Sequence, residues 1–303
     1  MKILNFGSLN LDNVYTVDHF VRNGETLAST SLIKFLGGKG LNQSIALSRA
    51  GCKVYHAGKI GTDGEALIER LKQEHINTDN VMIDSSTPTG HAIIQVDRSG
   101  QNCILLYGGA NRTVSKDDID RVLLDFEEGD LLLLQNEITN VEYLIMEAAK
   151  KGMIIILNPS PIDDAILTSK ALHKVDWFIL NDVEGNAITG KKLGEEICEV
   201  LLSRYPNAHF VVTLGKHGAI YLDKNYFEKY GVYDVPVVDT TAAGDTFTGY
   251  FICCVSEKKV IHTCLETASR AAALAITKMG AAESIPTRRE VEEATIRLEA
   301  QFL

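Results

Sequence analysis

Six apolar runs recur along the chain: Ile3 to Phe6, Val54 to Ile60, Leu131 to Leu134, Met153 to Leu157, Trp177 to Leu180 and Phe210 to Thr213. Each is short and nearly continuous, which suits strands buried on both faces rather than strands with one wet side. The stretches between them, at about residues 42–50, 63–75, 140–151 and 183–204, carry the amphipathic period of helices. Gly51, Gly152, Pro159 and Gly190 stand where those helices must stop. The pattern predicts an α/β fold, a mostly parallel central sheet flanked by helices.

Two stretches break this rhythm. Residues 11–36 alternate through Val14, Thr16, Asp18 and Phe20, and residues 89–107 place Asp97-Arg98-Ser99-Gly100 between two apolar segments, a hairpin pattern. Strands with no helix between them fit poorly into a helix-covered parallel sheet. They are expected to form a small β-sheet lid over one end of the main sheet, within one principal domain. A small sheet leaves edges and a face to cover, which predicts a homodimer through the lid. The last sixty residues read as three helices, Ala242 to Val255, Val260 to Met279 and Arg288 to Phe302.

With 303 residues and 45% apolar content the chain has material for a large core. A formal charge of −10 speaks against nucleic acid or an anionic membrane as partner, but not against a bound nucleotide, which needs only local donors. The six cysteines show no zinc spacing and read as reduced, mostly buried thiols. The first residues turn polar too quickly for a signal peptide, and no apolar run approaches a membrane span, so a cytoplasmic location is expected.

The chemistry is concentrated in Asp239-Thr240-Thr241-Ala242-Ala243-Gly244-Asp245, which runs into a helix. Three small residues allow a tight turn whose N–H groups, with the helix dipole behind them, form an anion hole at Ala242, Ala243 and Gly244. Asp245 is either a first-turn acid stabilising the dipole or a base for an attacking hydroxyl. No Walker sequence and no dinucleotide fingerprint occurs. Asn10 and Asp12 follow the first strand, at the strand end where open α/β sheets bind ligands, and their side chains suit a polyol.

A second small-residue turn, Gly37-Gly38-Lys39-Gly40-Leu41-Asn42-Gln43, also opens a helix. The pair of turns resembles the two signature segments of the ribokinase family of carbohydrate kinases. Gly7 to Asp12, Glu137, Asn181 to Glu184, Thr213 to Gly218 and Gly280 to Ser284 also stand where that family places them. The resemblance spans nearly the whole chain and implies a ribokinase-like fold. The activity it implies is an ATP-dependent kinase acting on the 5-hydroxyl of D-ribose, with deoxyribose, fructose or a nucleoside as other acceptors.

It also implies roles. Asp245 would be the base, and Asn10, Asp12, Gly38, Lys39, Asn42 and Glu137 would hold the sugar, with Ile94 and Leu106 of the lid on its apolar face. Asn181 and Glu184 would organise Mg2+; they also read as a helix cap with its capping box, and both readings can hold together. Thr213, Gly215, Gly218 and Gly244 would line the nucleotide, with His217 an exposed loop residue; a tight turn also accounts for these glycines. A K+ site would take Asp239, Ser284 and the carbonyls of Thr241, Ala275, Lys278 and Gly280. Ala242 departs from the family pattern, where many members carry glycine. A non-catalytic sugar or nucleotide sensor is the reading from another class, and it gives no reason to keep both Asp245 and an anion hole.

Overall fold

The computed structural model describes residues 1–299. Its main sheet has nine strands in the order Phe227–Tyr230, Ala219–Leu222, His209–Thr213, Trp177–Asn181, Ile154–Asn158, Leu131–Gln135, Ile3–Phe6, Val54–Gly61 and Asn77–Asp84. Neighbours run parallel except at the two edges of Ala219–Leu222, which pair antiparallel. Alternate residues of each buried strand feed two cores. Leu131 and Leu133 face the core that holds the helices Lys39–Arg49, Ala243–Ser256 and Ile261–Ala275, whereas Leu132 and Leu134 face the core of Val141–Lys150 and Gly194–Arg204. Burial on both faces is why these strands read as unbroken apolar runs.

The chain leaves Ile3–Phe6 for Val54–Gly61 on one side, then crosses to Leu131–Gln135 on the other. This reversal of direction opens a crevice at the C-terminal strand ends. Above it lies a second sheet, Ser31–Gly37, Asn10–Thr16, Gly90–Val96 and Asn102–Tyr107 in that order, made from the two stretches that broke the helical rhythm. Its register sets Asp12 between Phe35 and Ala92, with Leu106 beyond Ala92, while Val14, Ile33, Ile94 and Ile104 share the same face further out.

The structure differs from the pattern in four places. Asn77–Asp84 is an unexpected edge strand, hidden because Asp79 and Asn80 interrupt its apolar residues where one side meets solvent. The segment 183–204 is two helices, Asp182–Thr189 and Gly194–Arg204, parted where Gly190 turns left-handed at φ 76°. The helix expected from Val260 to Met279 ends at Ala275. The helix expected from Arg288 to Phe302 stops at Glu293, and Arg297–Glu299 instead pairs with Val232–Asp234; residues 300–302 of that expectation lie outside the described residues. Among the described residues no helix is long and apolar enough to cross a membrane.

Two helices meet closely under the crevice. A Cβ on Gly249 of Ala243–Ser256 would lie 2.4 Å from the Ala46 Cβ and 2.8 Å from the Leu47 nitrogen of Lys39–Arg49. Gly249→Ala therefore forces the helices apart, and the expected cost is about 1–3 kcal/mol. A thermal melt checks it: Tm falls, and an unchanged Tm would mean that the helices separate freely.

Candidate active site

The two small-residue turns cap these two helices and bring their first turns together. Gly38 precedes Lys39–Arg49 at φ 98°, and a Cβ there would lie 2.9 Å from the Ser8 carbonyl oxygen. Ala242 precedes Ala243–Ser256 in the left-handed region at φ 59°, a conformation that costs a residue with a Cβ roughly 1–2 kcal/mol. The departure at 242 thus falls on the one turn position where glycine would be unstrained.

Asp245 sits in the first turn of the second helix and is only 7% exposed. Its Oδ2 accepts from Asn42 Nδ2 at 3.0 Å and its Oδ1 from Gln43 Nε2 at 2.9 Å, so the first signature turn holds the carboxylate of the second. Beside it the Ala243 N–H donates to the Thr240 carbonyl at 3.3 Å, whereas the Gly244 N–H has no protein acceptor among the described residues. A Cβ on Gly244 would meet nothing within 4 Å. Of the anion hole expected at all three residues, the Ala243 N–H is taken by its turn, while the Ala242 N–H, like that of Gly244, has no protein acceptor among the described residues.

A polar cavity of about 230 Å3 lies over this turn, walled by Lys39, Asn158, Asn181, Glu184, Thr213 and the segment 242–245. Burial pulls the Lys39 ammonium down in pKa, but the charges of Asp245, Glu137 and Glu184 outweigh it and hold Lys39 above the ordinary lysine value. A permanent cation therefore stands over the turn where an anion would lie.

At the acceptor end, Glu137 accepts from the Ser8 hydroxyl and from the Lys39 N–H at 3.2 Å. Burial pushes its pKa up, against the pull of those donors. Asp12 is raised to about 6, first by burial and then by the charge of Glu137. Gly37 makes room for it, since a Cβ there would lie 2.0 Å from Asp12 Oδ2. Asn10 is buried, with its Oδ1 taken by Asn111 Nδ2 at 2.8 Å, while Asn111 Oδ1 accepts from the Leu9 N–H at 3.0 Å. Asn10, Asp12, Gly38, Lys39, Asn42, Glu137 and Asp245 thus gather at one end of the crevice.

A larger cavity of about 520 Å3 shares Thr213, Thr240, Ala243 and Gly244 with the polar one. Its far walls are apolar, built from Val232, Val235, Val237, Phe247, Ala272 and Ile276, with Gly215 and Gly218 at the rim. Gly218 is required by its turn: at φ 88° a Cβ would lie 2.0 Å from the Tyr230 carbonyl oxygen. His217 belongs to the short 3-10 turn Gly215–His217 and is half-buried, not the exposed loop residue expected, because the turn folds its ring back.

Asn181 and Glu184 form the reciprocal capping box, Glu184 N–H to Asn181 Oδ1 at 2.8 Å and Asn181 N–H to Glu184 Oε2 at 3.0 Å. Glu184 lines the polar cavity and its Oε1 has no protein donor among the described residues, an oxygen suited to a magnesium ion or its waters. Asp239 accepts from the Thr241 N–H at 2.9 Å, the Thr241 hydroxyl at 2.6 Å and the Gly280 N–H at 2.9 Å, pinning the two loops together. Burial raises its pKa, but these bonds outweigh that and hold it low. No direct bond joins Ala275 or Ser284 to Asp239 among the described residues: Lys278 N–H turns back to the Ala275 carbonyl and the Ser284 hydroxyl to that of Ala281. The set is nonetheless all oxygen, the chemistry of a hard monovalent cation.

Sequence reasoning missed Gln43, Asn111, Asn158 and the apolar slot. A signal was present for some of them. Gln135, Asn158 and Asn181 each close an otherwise apolar strand with an amide, and all three end strands pointing at the crevice. Asn111 had no such signal.

A buried carboxylate at a helix N-terminus, beside a polar cavity that shares a wall with an apolar slot, is an arrangement that suits phosphoryl transfer to an alcohol. The model of the pfkB family carbohydrate kinases matches residues 1–288, and the chain belongs to that family. It is 35% identical over 295 residues to the ribokinase of Haemophilus influenzae, covering 95% of this chain and 96% of that one. It is 30% identical over 302 residues to the deoxyribokinase of Salmonella typhi, covering 97% and 98%. The structure of Arabidopsis thaliana ribokinase complexed with ribose and ATP superposes with a TM-score of 0.84 at 27% identity, over 96% of this chain and 97% of that one. The protein is a carbohydrate kinase of the ribokinase type.

The raised pKa of Asp12 has a definite sign in binding. A hydroxyl donates to the ionised carboxylate, which is present above about pH 6 and lost below it. The acceptor KM is expected to climb by about tenfold per pH unit below 6, in proportion to the lost competent fraction. Measuring KM from pH 5 to 8 in the native chain and in Asp12→Asn checks this: a flat profile in the native chain excludes Asp12 as a hydroxyl acceptor.

Proposed function

We propose that this kinase transfers the γ-phosphoryl group of ATP to the 5-hydroxyl of D-ribose. The observation that carries the reading is that Gly244 lines both the polar cavity and the apolar slot, with the Asp245 carboxylate beside it in the polar cavity. The acceptor lies among Asn10, Asp12, Lys39, Asn42 and Glu137, which match several hydroxyls with amides, carboxylates and one ammonium. The adenine fills the slot walled by Val235, Phe247 and Ile276, so the phosphates reach the shared wall at Ala243 and Gly244.

The ribose hydroxyl gives its proton to Asp245 as its oxygen bonds to phosphorus, and the bond from phosphorus to the ADP oxygen breaks. The Gly244 N–H and Lys39 face the charge on the transferred group. Asn181 and Glu184 would hold Mg2+, which would supply further positive charge at the phosphates. K+ at Asp239, Thr241, Gly280 and Ser284, with the Ala275 and Lys278 carbonyls, would stiffen the turn without touching substrate. The small sheet acts as the lid that excludes water when substrate is bound.

An ADP-release assay with ATP and magnesium, with and without potassium, across ribose, deoxyribose, fructose and adenosine tests the reading. Potassium-stimulated turnover fastest on ribose is expected, and Asp245→Asn lowers kcat by about 10²–10⁴-fold. Gly244→Ala keeps or raises Tm, since alanine suits a helix better by roughly 0.5–1 kcal/mol. Its methyl enters the space above the turn, however, so its kcat falls. Full activity in Gly244→Ala would remove the phosphoryl group from that space, and faster turnover on another acceptor would rename the substrate.

The lid's outer residues support a homodimer: Ile33 is 51% exposed and Ile104 57%, on one face with Val14 and Ile94. Light scattering is expected to return a dimer for the native chain and a monomer for Ile104→Glu, and a native monomer at micromolar concentration would end the proposal.

A further inference from the structure

Beneath Asp245 runs a seam of buried polar side chains that the proposed reaction does not use. Asn5, Gln43, Ser44, His56 and Gln135 are fully buried, and Asn158 nearly so. Burying six polar groups is costly unless each finds a partner, and an apolar core would have been the simpler filling. Here the partners form one chain, in which only Gln135 Oε1 and His56 Nε2 are left without a hydrogen-bond partner among the described residues. Gln43 Nε2 donates to Asp245 Oδ1 at 2.9 Å and to Asn158 Oδ1 at 3.1 Å, while Gln43 Oε1 accepts from Gln135 Nε2 at 2.6 Å. Gln135 Nε2 also donates to Asn5 Oδ1 at 3.0 Å, and Asn5 Nδ2 donates to the Gly40 carbonyl and to Ser44 Oγ, each at 2.8 Å. Ser44 Oγ ends the chain 2.8 Å from His56 Nδ1, and burial drives the His56 pKa down to about 3, so that end carries no charge.

The partners leave the Gln43 amide one orientation. Asn158 Nδ2 is held by the Ile179 carbonyl at 2.9 Å, so Asn158 presents its oxygen to Gln43. A flipped Gln43 would set its own oxygen against that oxygen and against the carboxylate of Asp245. Asn158 and Gln135 are register neighbours closing adjacent strands, so the frame that orients Gln43 is the sheet itself. Asn42, the other donor to Asp245, lines the acceptor pocket in the reading above. Gln43 has no such second duty.

We propose that Gln43 is a positioning residue that ties the Asp245 carboxylate to the ends of the parallel strands through Asn158 and Gln135. It holds Oδ1 so that Oδ2 points to the reacting hydroxyl, and being neutral it leaves the base its charge. The inference rests on the reading of Asp245 as the base, and the test separates the two.

The native chain, Asp245→Asn, Gln43→Met, Gln43→Glu and the double variant Gln43→Met with Asp245→Asn are assayed with D-ribose and ATP. Folding is followed by circular dichroism and rates are normalised to ATP-binding sites counted by calorimetry. Gln43→Met removes every bond of the amide; Gln43→Glu keeps the oxygen that Gln135 needs but sets a carboxyl against Asp245, so beyond lowering kcat it is expected to move the acid limb of the kcat–pH profile to higher pH. Each is expected to lower kcat on the order of 100-fold, the usual scale for a misplaced catalytic group. Both KM values should stay within about threefold of native, and the double variant should be no slower than Asp245→Asn, as for residues that act as a unit. A folded Gln43 variant with native kcat per site, or a double variant whose losses multiply, overturns the proposal. Native turnover in Asp245→Asn would instead overturn the reading of the base, in an arm that Gln43 does not enter.

Discussion

Everything in the site depends on two helix N-termini being held against each other. Gly249 lets Ala243–Ser256 lie against Ala46 of Lys39–Arg49, and at the ends of those helices Asn42 and Gln43 clasp Asp245. Two positive dipole ends converge beside one buried carboxylate and leave an anion-attracting surface there. The polar pocket and the apolar slot then share a wall at Ala243 and Gly244 because that junction is where the sheet, the two helices and the nucleotide loop meet.

The electrostatics follow from burial as much as from charge. Burial and then the charge of Glu137 make Asp12 harder to ionise, while Glu137 is raised by its own burial and by the charge of Asp245 against the pull of Ser8 and Lys39. Lys39 sits among three carboxylates and keeps its proton despite burial. Below them the seam from Gln43 to His56 is polar but neutral, so it orients Asp245 without competing for its charge.

Much of this was legible in the order of residues. The continuous apolar runs marked the buried strands, the stretches lacking helices marked the small sheet, and two small-residue turns marked the helix starts that carry the chemistry. What escaped notice had weak local signals. Asn77–Asp84 is an edge strand with polar interruptions, and Arg297–Glu299 abandons a helical pattern to pair with a strand more than sixty residues away. Asn111 reaches Asn10 from a distant 3-10 turn.

By itself the sequence determined the period of each element, the placement of turns that tolerate only small residues, and the kinds of side chain available for the chemistry, because these depend on near neighbours and on backbone sterics. The tertiary structure alone decided that Gln43, Asn158 and Gln135 form one frame around Asp245 and that the charge of Glu137 bears on Asp12. Each of these is a contact between segments far apart in the chain, set by how the sheet and helices pack, and no local pattern encodes a distance between such segments.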